Sequence, residues 1–256
     1  DELVATARKA QQNYEARGSQ EIFDLACQAV GWALMQPENN NELSKLAVSE
    51  TGLGNVQDKI QKNHNKTLGL LRDLKDIKSF GHIFDDDMKG LSVYFRPKGV
   101  IAAIVPSTNP LATPTNNIIN ALKTGNSIIV APSPKGAEPF SVLLKHMRKN
   151  LADVGIDPNL VQMVPAPPSK PKTQRLMELA DLLVVTGSQN NVRAGYSSGT
   201  PALGVGQGNV VTILDETADV GDAAEKIAKS KTFDNATSCS SENLSLIHIS
   251  EPTRPY

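Results

Sequence analysis

Residues 98–134 read KGVIAAIVPSTNPLATPTNNIINALKTGNSIIVAPSP. Val100–Val105 is an unbroken apolar run, too short for a core helix and bounded by Gly99 and Pro106, so it reads as a strand. "NNIINALKTGN" is a short helix stopped by Gly125, and "SIIVAPSP" is a second, buried strand. Two apolar strands joined by a helix form a βαβ unit. Such a unit crosses over right-handed and requires a parallel sheet covered on both faces.

The pattern continues downstream. "AEPFSVLLKHMRKNLADVG" reads as a helix with Phe140, Leu143, Leu144, Met147 and Leu151 on one side. "NLVQMVPAP" is a strand, "TQRLMELA" a helix, "DLLVVTG" a strand, "NNVRAGYSSG" a helix and "NVVTILDE" a strand, and "ADVGDAAEKIAKSKTF" is the last helix. The alternation predicts an α/β fold with a doubly wound, mostly parallel, Rossmann-like sheet that includes "NVVTILDE". Upstream, residues 1–80 read as helical. Ile22, Phe23, Ala26, Val30, Ala33 and Leu34 recur at helical spacing, "PENNN" from Pro37 breaks the run, and residues 56–80 form a polar, Lys-rich amphipathic stretch. The expected organisation is residues 1–95 as a helical segment with the start of a hairpin, packed on a cofactor-type domain at 96–235.

Composition narrows the function. The chain has 256 residues, 26 basic and 27 acidic, for a net charge of −1, which gives no electrostatic case for nucleic acid or an anionic membrane. Cys27 and Cys239 make no disulfide framework, and the four scattered histidines have no metal-chelating spacing with them. No apolar run has membrane-spanning length and no signal peptide is visible, so a soluble, cytoplasmic protein is expected. The chain opens on Asp1, and some N-terminal residues are expected to be missing.

Four stretches carry candidate chemistry. "GVGQGN" (Gly204, Gly206, Gly208) is no dinucleotide fingerprint, because it runs into a strand instead of opening a helix; its glycines suit a tight turn or a close backbone approach. "DLLVVTGSQNNVRAGY" ends a strand at Thr186-Gly187-Ser188 and starts a helix, whose N-terminus suits a pyrophosphate or an ordinary Ser cap about equally. "VPSTNPLATP" sets Asn109 at a strand's carboxyl end, either as an oxyanion donor or as an Asx-turn residue before proline. Cys239 lies in the polar stretch "KTFDNATSCSSEN", which suits a nucleophile better than a packing thiol, whereas Cys27 beside Ala26 reads as a small core thiol.

Taken in order, "PSTNP", "KTGNSIIVAPSP", "VVTGS", "SSGTPALGVGQGN" and "SKTFDNATSCSSEN" resemble the aldehyde dehydrogenase superfamily over roughly residues 1–243. They look most like its coenzyme A-acylating branch, and within it the acylating sulfoacetaldehyde dehydrogenases. The resemblance implies Cys239 as nucleophile, Asn109 as oxyanion donor, and a cofactor, NADP or NAD, held by Thr186, Gly187, Ser188, Pro132, Ser133 and Lys135. It also implies a small aldehyde substrate, coenzyme A as co-substrate, a homo-oligomeric full-length protein and no metal. Residues 236–243 would open the catalytic domain, before which the chain is truncated.

Two departures from the hydrolytic branch matter. Hydrolytic relatives carry a water-activating glutamate in "E-L-G-G-K", while Pro201–Val210 contains no carboxylate. They also carry "K-P-S-E", whose acid grips the adenosine ribose; here Pro134-Lys135 follows Ser133, which removes repulsion against a 2′-phosphate and favours NADP. The competing readings are a hydrolytic enzyme giving a free acid and an inactive family member. The last segment stands apart. LSLIHISEPTR (Leu244–Arg254) equals the in-frame translation of a transposase sequencing adapter. Residues 244–256 are therefore expected to be non-native, any strand they form to be unpaired, and the chain to be a gene fragment without dehydrogenase activity.

Overall fold

The structure, a computed structural model, describes residues 1–247. Four helices come first: α1 (Glu2–Ala16), α2 (Gln20–Met35), α3 (Pro37–Thr51) and α4 (Val56–Leu74). Ser19 and Asn55 cap α2 and α4, accepting from the N–H groups of Ile22 and Asp58 at 3.3 and 2.9 Å. The expected break before α3 is present, since α2 ends at Met35 with Gln36 as its C-cap, but the "PENNN" stretch itself is helical. Pro37 sits in the first turn of α3, where its missing N–H would be unpaired anyway. A hairpin follows, β1 (Gly81–Asp86) with β2 (Leu91–Phe95).

The quoted stretch then forms β3 (Val100–Val105), α5 (Ala112–Lys123) and β4 (Ser127–Pro132). After it come α6 (Ala137–Asp153), β5 (Val161–Met163), α7 (Lys170–Leu179), β6 (Leu182–Thr186), α8 (Gln189–Tyr196) and β7 (Ala202–Val205). Strands β5-β4-β3-β6-β7 make one five-stranded sheet with every neighbouring pair parallel. All residues of β3 and β4 are buried. Alternate residues of β3 enter opposite layers. Ile101, Ala103 and Val105 pack with Phe23, Ile118, Phe140 and Met147, while Val100, Ala102 and Ile104 pack with Val4, Ala7, Leu176 and Met177. This two-sided cover explains why the strands read as continuous apolar runs.

The amino ends of the strands are pinned by side chains. Asp181 accepts the Val100 N–H at 2.7 Å and a two-pronged contact from Arg8 at 2.7 and 3.1 Å. Gly99 has φ +125° and a Cβ there would overlap the Asp181 carboxylate, so only glycine fits. Asn126 accepts from the N–H groups of Lys98 and Gly99 at 2.6 and 2.9 Å.

Two expectations are corrected here. "NVVTILDE" forms β8 (Val210–Leu214) but does not join the main sheet; β7, drawn from "PALGVGQGN", takes the place beside β6. A short, largely apolar run does not encode its partner: β8 alternates between half-buried and exposed residues along most of its length, as β7 does, whereas β3 and β4 are fully buried. After α9 (Val220–Thr232), β9 (Glu242–Ile247) pairs with β8 in parallel, Thr212 opposite Ser245 and Ile213 opposite Leu246. Residues 244–247 are thus paired with β8 as part of a strand that begins at Glu242. The rest of the adapter-like segment, 248–256, lies outside the described residues. No described helix is long and apolar enough to cross a membrane.

Candidate active site

The strand order reverses between β3 and β6, since the chain winds outward from β3 through β4 and β5 and then returns to add β6 and β7. Ligands of doubly wound sheets bind outside the carboxyl ends at such a switch point. The loops there carry the residues singled out above. Asn109 follows β3 and is buried. No hydrogen bond occupies its side-chain amide among the described residues, so it does not act as an Asx-turn residue, and its N–H₂ is free to donate.

The turn after β4 leans on the Asn109 loop. A Cβ at Gly136 would lie 3.0 Å from Ser133 Oγ and 3.1 Å from Pro110 Cβ. Pro132 is buried, and Ser133 Oγ is enclosed without a protein partner. Lys135 is exposed and forms no ion pair among the described residues. Beyond β6, the Gly187 N–H donates to Val205 O at 3.1 Å, and Ser188 Oγ accepts from Asn191 N–H at 3.3 Å. Ser188 is therefore an N-cap, as the plainer reading had it. The earlier N–H groups of α8 remain without intrahelical partners. An orphaned hydroxyl, an unpaired lysine and a helix N-terminus along one edge fit a phosphate-bearing dinucleotide.

The two cysteines differ sharply. Cys27 is buried in α2, its Sγ donating to Ile119 O at 3.3 Å, and burial, with Asp24 nearby, pushes its thiol up to about 12. Cys239 is an exposed free thiol. Its loop is tied on both sides: Ser238 and Ser240 hydroxyls meet at 2.8 Å, and Ser241 Oγ donates to Ser238 O at 2.9 Å. The "GVGQGN" segment passes directly beneath it. A Cβ at Gly208 would stand 2.5 Å from Cys239 O, and Asn243 Nδ2 donates to Gly208 O at 3.2 Å. The close-approach reading of these glycines is what the geometry shows. Asn109 and Cys239 are not hydrogen-bonded to each other.

One set of residues near Cys239 escapes sequence reading. The Asp234 carboxylate is fully buried and takes charge-assisted contacts from Lys59 and Lys62, whose side chains are only 3% and 2% exposed. Burial opposes its charge, but hydrogen bonds from Lys62 and Thr237 and the charges of both lysines prevail and hold the carboxyl below its ordinary range. Lys59 and Lys62 sit three apart, a same-face spacing, yet in a Lys-rich polar helix nothing distinguishes them from solvated residues.

An exposed thiol on a glycine-backed loop, with an uncommitted buried amide beyond a strand of the β5-β4-β3-β6-β7 sheet, agrees with the family profile for aldehyde dehydrogenases, which matches residues 1–251. The chain belongs to the aldehyde dehydrogenase family. It is 57% identical over 241 residues to the acylating sulfoacetaldehyde dehydrogenase of Cupriavidus necator, covering 94% of this chain and 49% of that protein. Its fold superposes on an acetylating aldehyde dehydrogenase of Geobacillus thermoglucosidasius with a TM-score of 0.90 at 33% identity, covering 96% of this chain and 54% of that one. A propionaldehyde dehydrogenase of Rhodopseudomonas palustris with bound propionyl-CoA aligns at a TM-score of 0.84 and 32% identity, again over 96% and 54%. This aldehyde dehydrogenase chain thus spans about half the length of the relatives it matches.

Proposed function

We propose that the chain is the cofactor-side half of a coenzyme A-acylating aldehyde dehydrogenase, with a small aldehyde, sulfoacetaldehyde first among candidates, as substrate. The observation that carries the reading is the Gly208 contact. The segment packed against the nucleophile loop contains no carboxylate from Pro201 to Val210. No base from that segment can activate a water, whereas a thiol acyl acceptor needs far less activation near neutral pH. The Cupriavidus relative and the propionyl-CoA-bound structure support the same branch.

Each residue then has a role. The Cys239 thiolate adds to the aldehyde carbon, and the Asn109 amide, with the Cys239 backbone N–H, donates to the resulting oxyanion. The bound nicotinamide cofactor supplies the hydride acceptor, which leaves an acyl thioester on Cys239. The thiol of coenzyme A, losing its proton to solvent, attacks that thioester, carries off the acyl group and expels Cys239 as thiolate. Ser188 and Gly187 at the α8 N-terminus, with Thr186, hold the pyrophosphate. Pro132, Ser133 and Lys135 line the adenosine end, and Lys135 favours NADP over NAD. Residues from 236 onward open the catalytic half.

The test uses the full-length reading frame. With aldehyde and oxidised cofactor alone, the expected result is at most a stoichiometric burst, followed by sustained turnover on adding coenzyme A. Cys239→Ala should abolish both phases while cofactor binding persists. Rapid steady-state release of free acid without coenzyme A would establish the hydrolytic reading instead. A kcat/KM for sulfoacetaldehyde no better than for acetaldehyde would remove the substrate assignment.

A further inference from the structure

Asp234, Asn235 and Ala236 lie immediately before the nucleophile loop, with φ of 52°, 53° and 59°. Three successive non-glycine residues in left-handed backbone are unfavourable and persist only where surroundings enforce them. The enforcing contacts come from helix α4 and the turn leading into it. The Asp234 carboxylate accepts from Lys59 Nζ at 3.2 and 3.3 Å, from Lys62 Nζ, from the Asn55 N–H at 3.1 Å and from Thr237 Oγ1 at 2.8 Å. Its own N–H donates to Asp58 Oδ2 at 2.7 Å, and Asn235 Nδ2 donates to Gly54 O at 3.1 Å. Gly54 itself has φ +73°, and a Cβ there would overlap Asp234 Oδ1, so the two segments meet backbone to carboxylate.

We propose that this buried cluster positions the nucleophile: Asp234, gripped by Lys59 and Lys62, forces residues 234–236 into the left-handed arch that sets where the Cys239 thiol stands. Asp234 is a positioning residue, since its carboxylate is fully buried and engaged by protein groups. The inference rests on the reading of Cys239 as nucleophile. Its physical basis is the match between strain and restraint. Two of the three strained residues, Asp234 and Asn235, are held directly by the cluster, and Thr237, whose single hydroxyl hydrogen lies between the Asp234 carboxylate at 2.8 Å and its carbonyl at 2.7 Å, carries the constraint two residues short of Cys239. Two buried lysines on one carboxylate are far more than a surface loop needs for anchorage, and Lys59 lies 175 residues away in the chain.

The experiment compares full-length wild type with Thr237→Val, which deletes a hydrogen bond without changing charge, and with Asp234→Asn/Lys62→Met, which removes one charge of each sign. Rates of Cys239 alkylation by iodoacetamide, kcat with aldehyde and coenzyme A, cofactor Kd and melting temperature are measured. A misplaced reacting group costs up to about 10²-fold. The double variant should therefore lose about that much in kcat and in alkylation rate, with cofactor Kd unchanged, and Thr237→Val should lose a smaller part. Adding Ala236→Gly should restore part of the loss, because glycine adopts the arch without enforcement. A folded double variant with kcat and alkylation within about twofold of wild type overturns the proposal. If the double variant does not fold, Thr237→Val with wild-type kcat and alkylation overturns it. The site reading fails separately, and only, if Cys239→Ala still turns over.

Discussion

The five-stranded sheet and the arch before Cys239 are held by opposite means. In the sheet, Ile128, Ile129, Val130 and their neighbours exclude water completely, and the few polar pins sit at strand ends. In the arch, a single buried carboxylate and two buried lysines replace apolar packing, and the nearby β8–β9 ladder leaves Val211, Ile213, Leu244 and Leu246 exposed. Apolar burial is non-directional and tolerant of small shifts, whereas a charge-assisted cluster fixes one geometry. Under the proposed function, a cofactor edge needs a rigid platform and a nucleophile needs a defined place, and each region carries the kind of interaction suited to that task.

Breaking the sheet should have the largest effect. Phe140 is fully buried in the layer formed by α2, α5 and α6. Phe140→Ala should cost about 3–5 kcal/mol through lost transfer energy and a residual cavity. Denaturant titration should show this as a fall in midpoint sensed by the whole sheet. A loss below about 1 kcal/mol would mean that the layer collapses to fill the void.

Asp234→Asn ranks next, at about 3 kcal/mol, because it leaves two buried ammonium groups facing an amide. Its signature is local and depends on pH. The Asp234 carboxyl is held below its ordinary value near 3.8, so the unfolded arch binds more protons than the folded one in acid. Stability from this group is present above that value and is lost as pH falls through the lower folded value. Hydrogen exchange should show α9 and the arch opening before β3 and β4 as pH falls below about 4 towards the lower folded value. Asp234→Asn should abolish that acid sensitivity. An unchanged acid profile in the variant would place the titrating group elsewhere.

How far the sequence revealed this comparison follows from the same physics. β3, α5 and β4 were legible because a strand buried on both faces must be apolar throughout, and Gly125 marks the helix end. Asn109 and the Thr186–Ser188 turn were legible because they follow such strands. The sheet that β8 joins is not legible, because a mostly apolar run of five residues does not encode its partner. "ALGV" does not read as a strand because Gly204 and the glycines just after it are turn signals, although Gly204 makes room for Val192 and Tyr196. The Asp234 cluster was invisible. Lysine and aspartate are ordinarily solvated, and their burial arises only when segments about 175 residues apart are brought together.

A smaller effect sharpens the point about strain. Ala236 has φ 59°, and no side chain of its own requires it there. Ala236→Gly should stabilise the arch by about 1 kcal/mol, less the extra backbone freedom that glycine adds to the unfolded chain. Differential hydrogen exchange of residues 233–241 would register the gain. A loss instead would mean that the alanine methyl packs productively.

The smallest expected effect is also the most discriminating about the β8–β9 ladder. Ile213 is 69% exposed although it is a β-branched apolar residue in mid-strand. In the 256-residue protein, Ile213→Ser removes almost no buried area, so its stability should change by less than about 0.5 kcal/mol. Exposed apolar strands are also association sites, so the substitution should reduce aggregation measured by light scattering. In a protein of the relatives' full length, the same side chain has the remaining half of the polypeptide available to cover it. If that half packs on β8, Ile213→Ser should cost about 1.5–3 kcal/mol there, the value of a buried aliphatic side chain. Measuring the substitution in both lengths separates the two cases. Equal, near-zero effects would leave the ladder as free surface in both, while a cost confined to the longer protein would show that this strand is completed from outside the described residues.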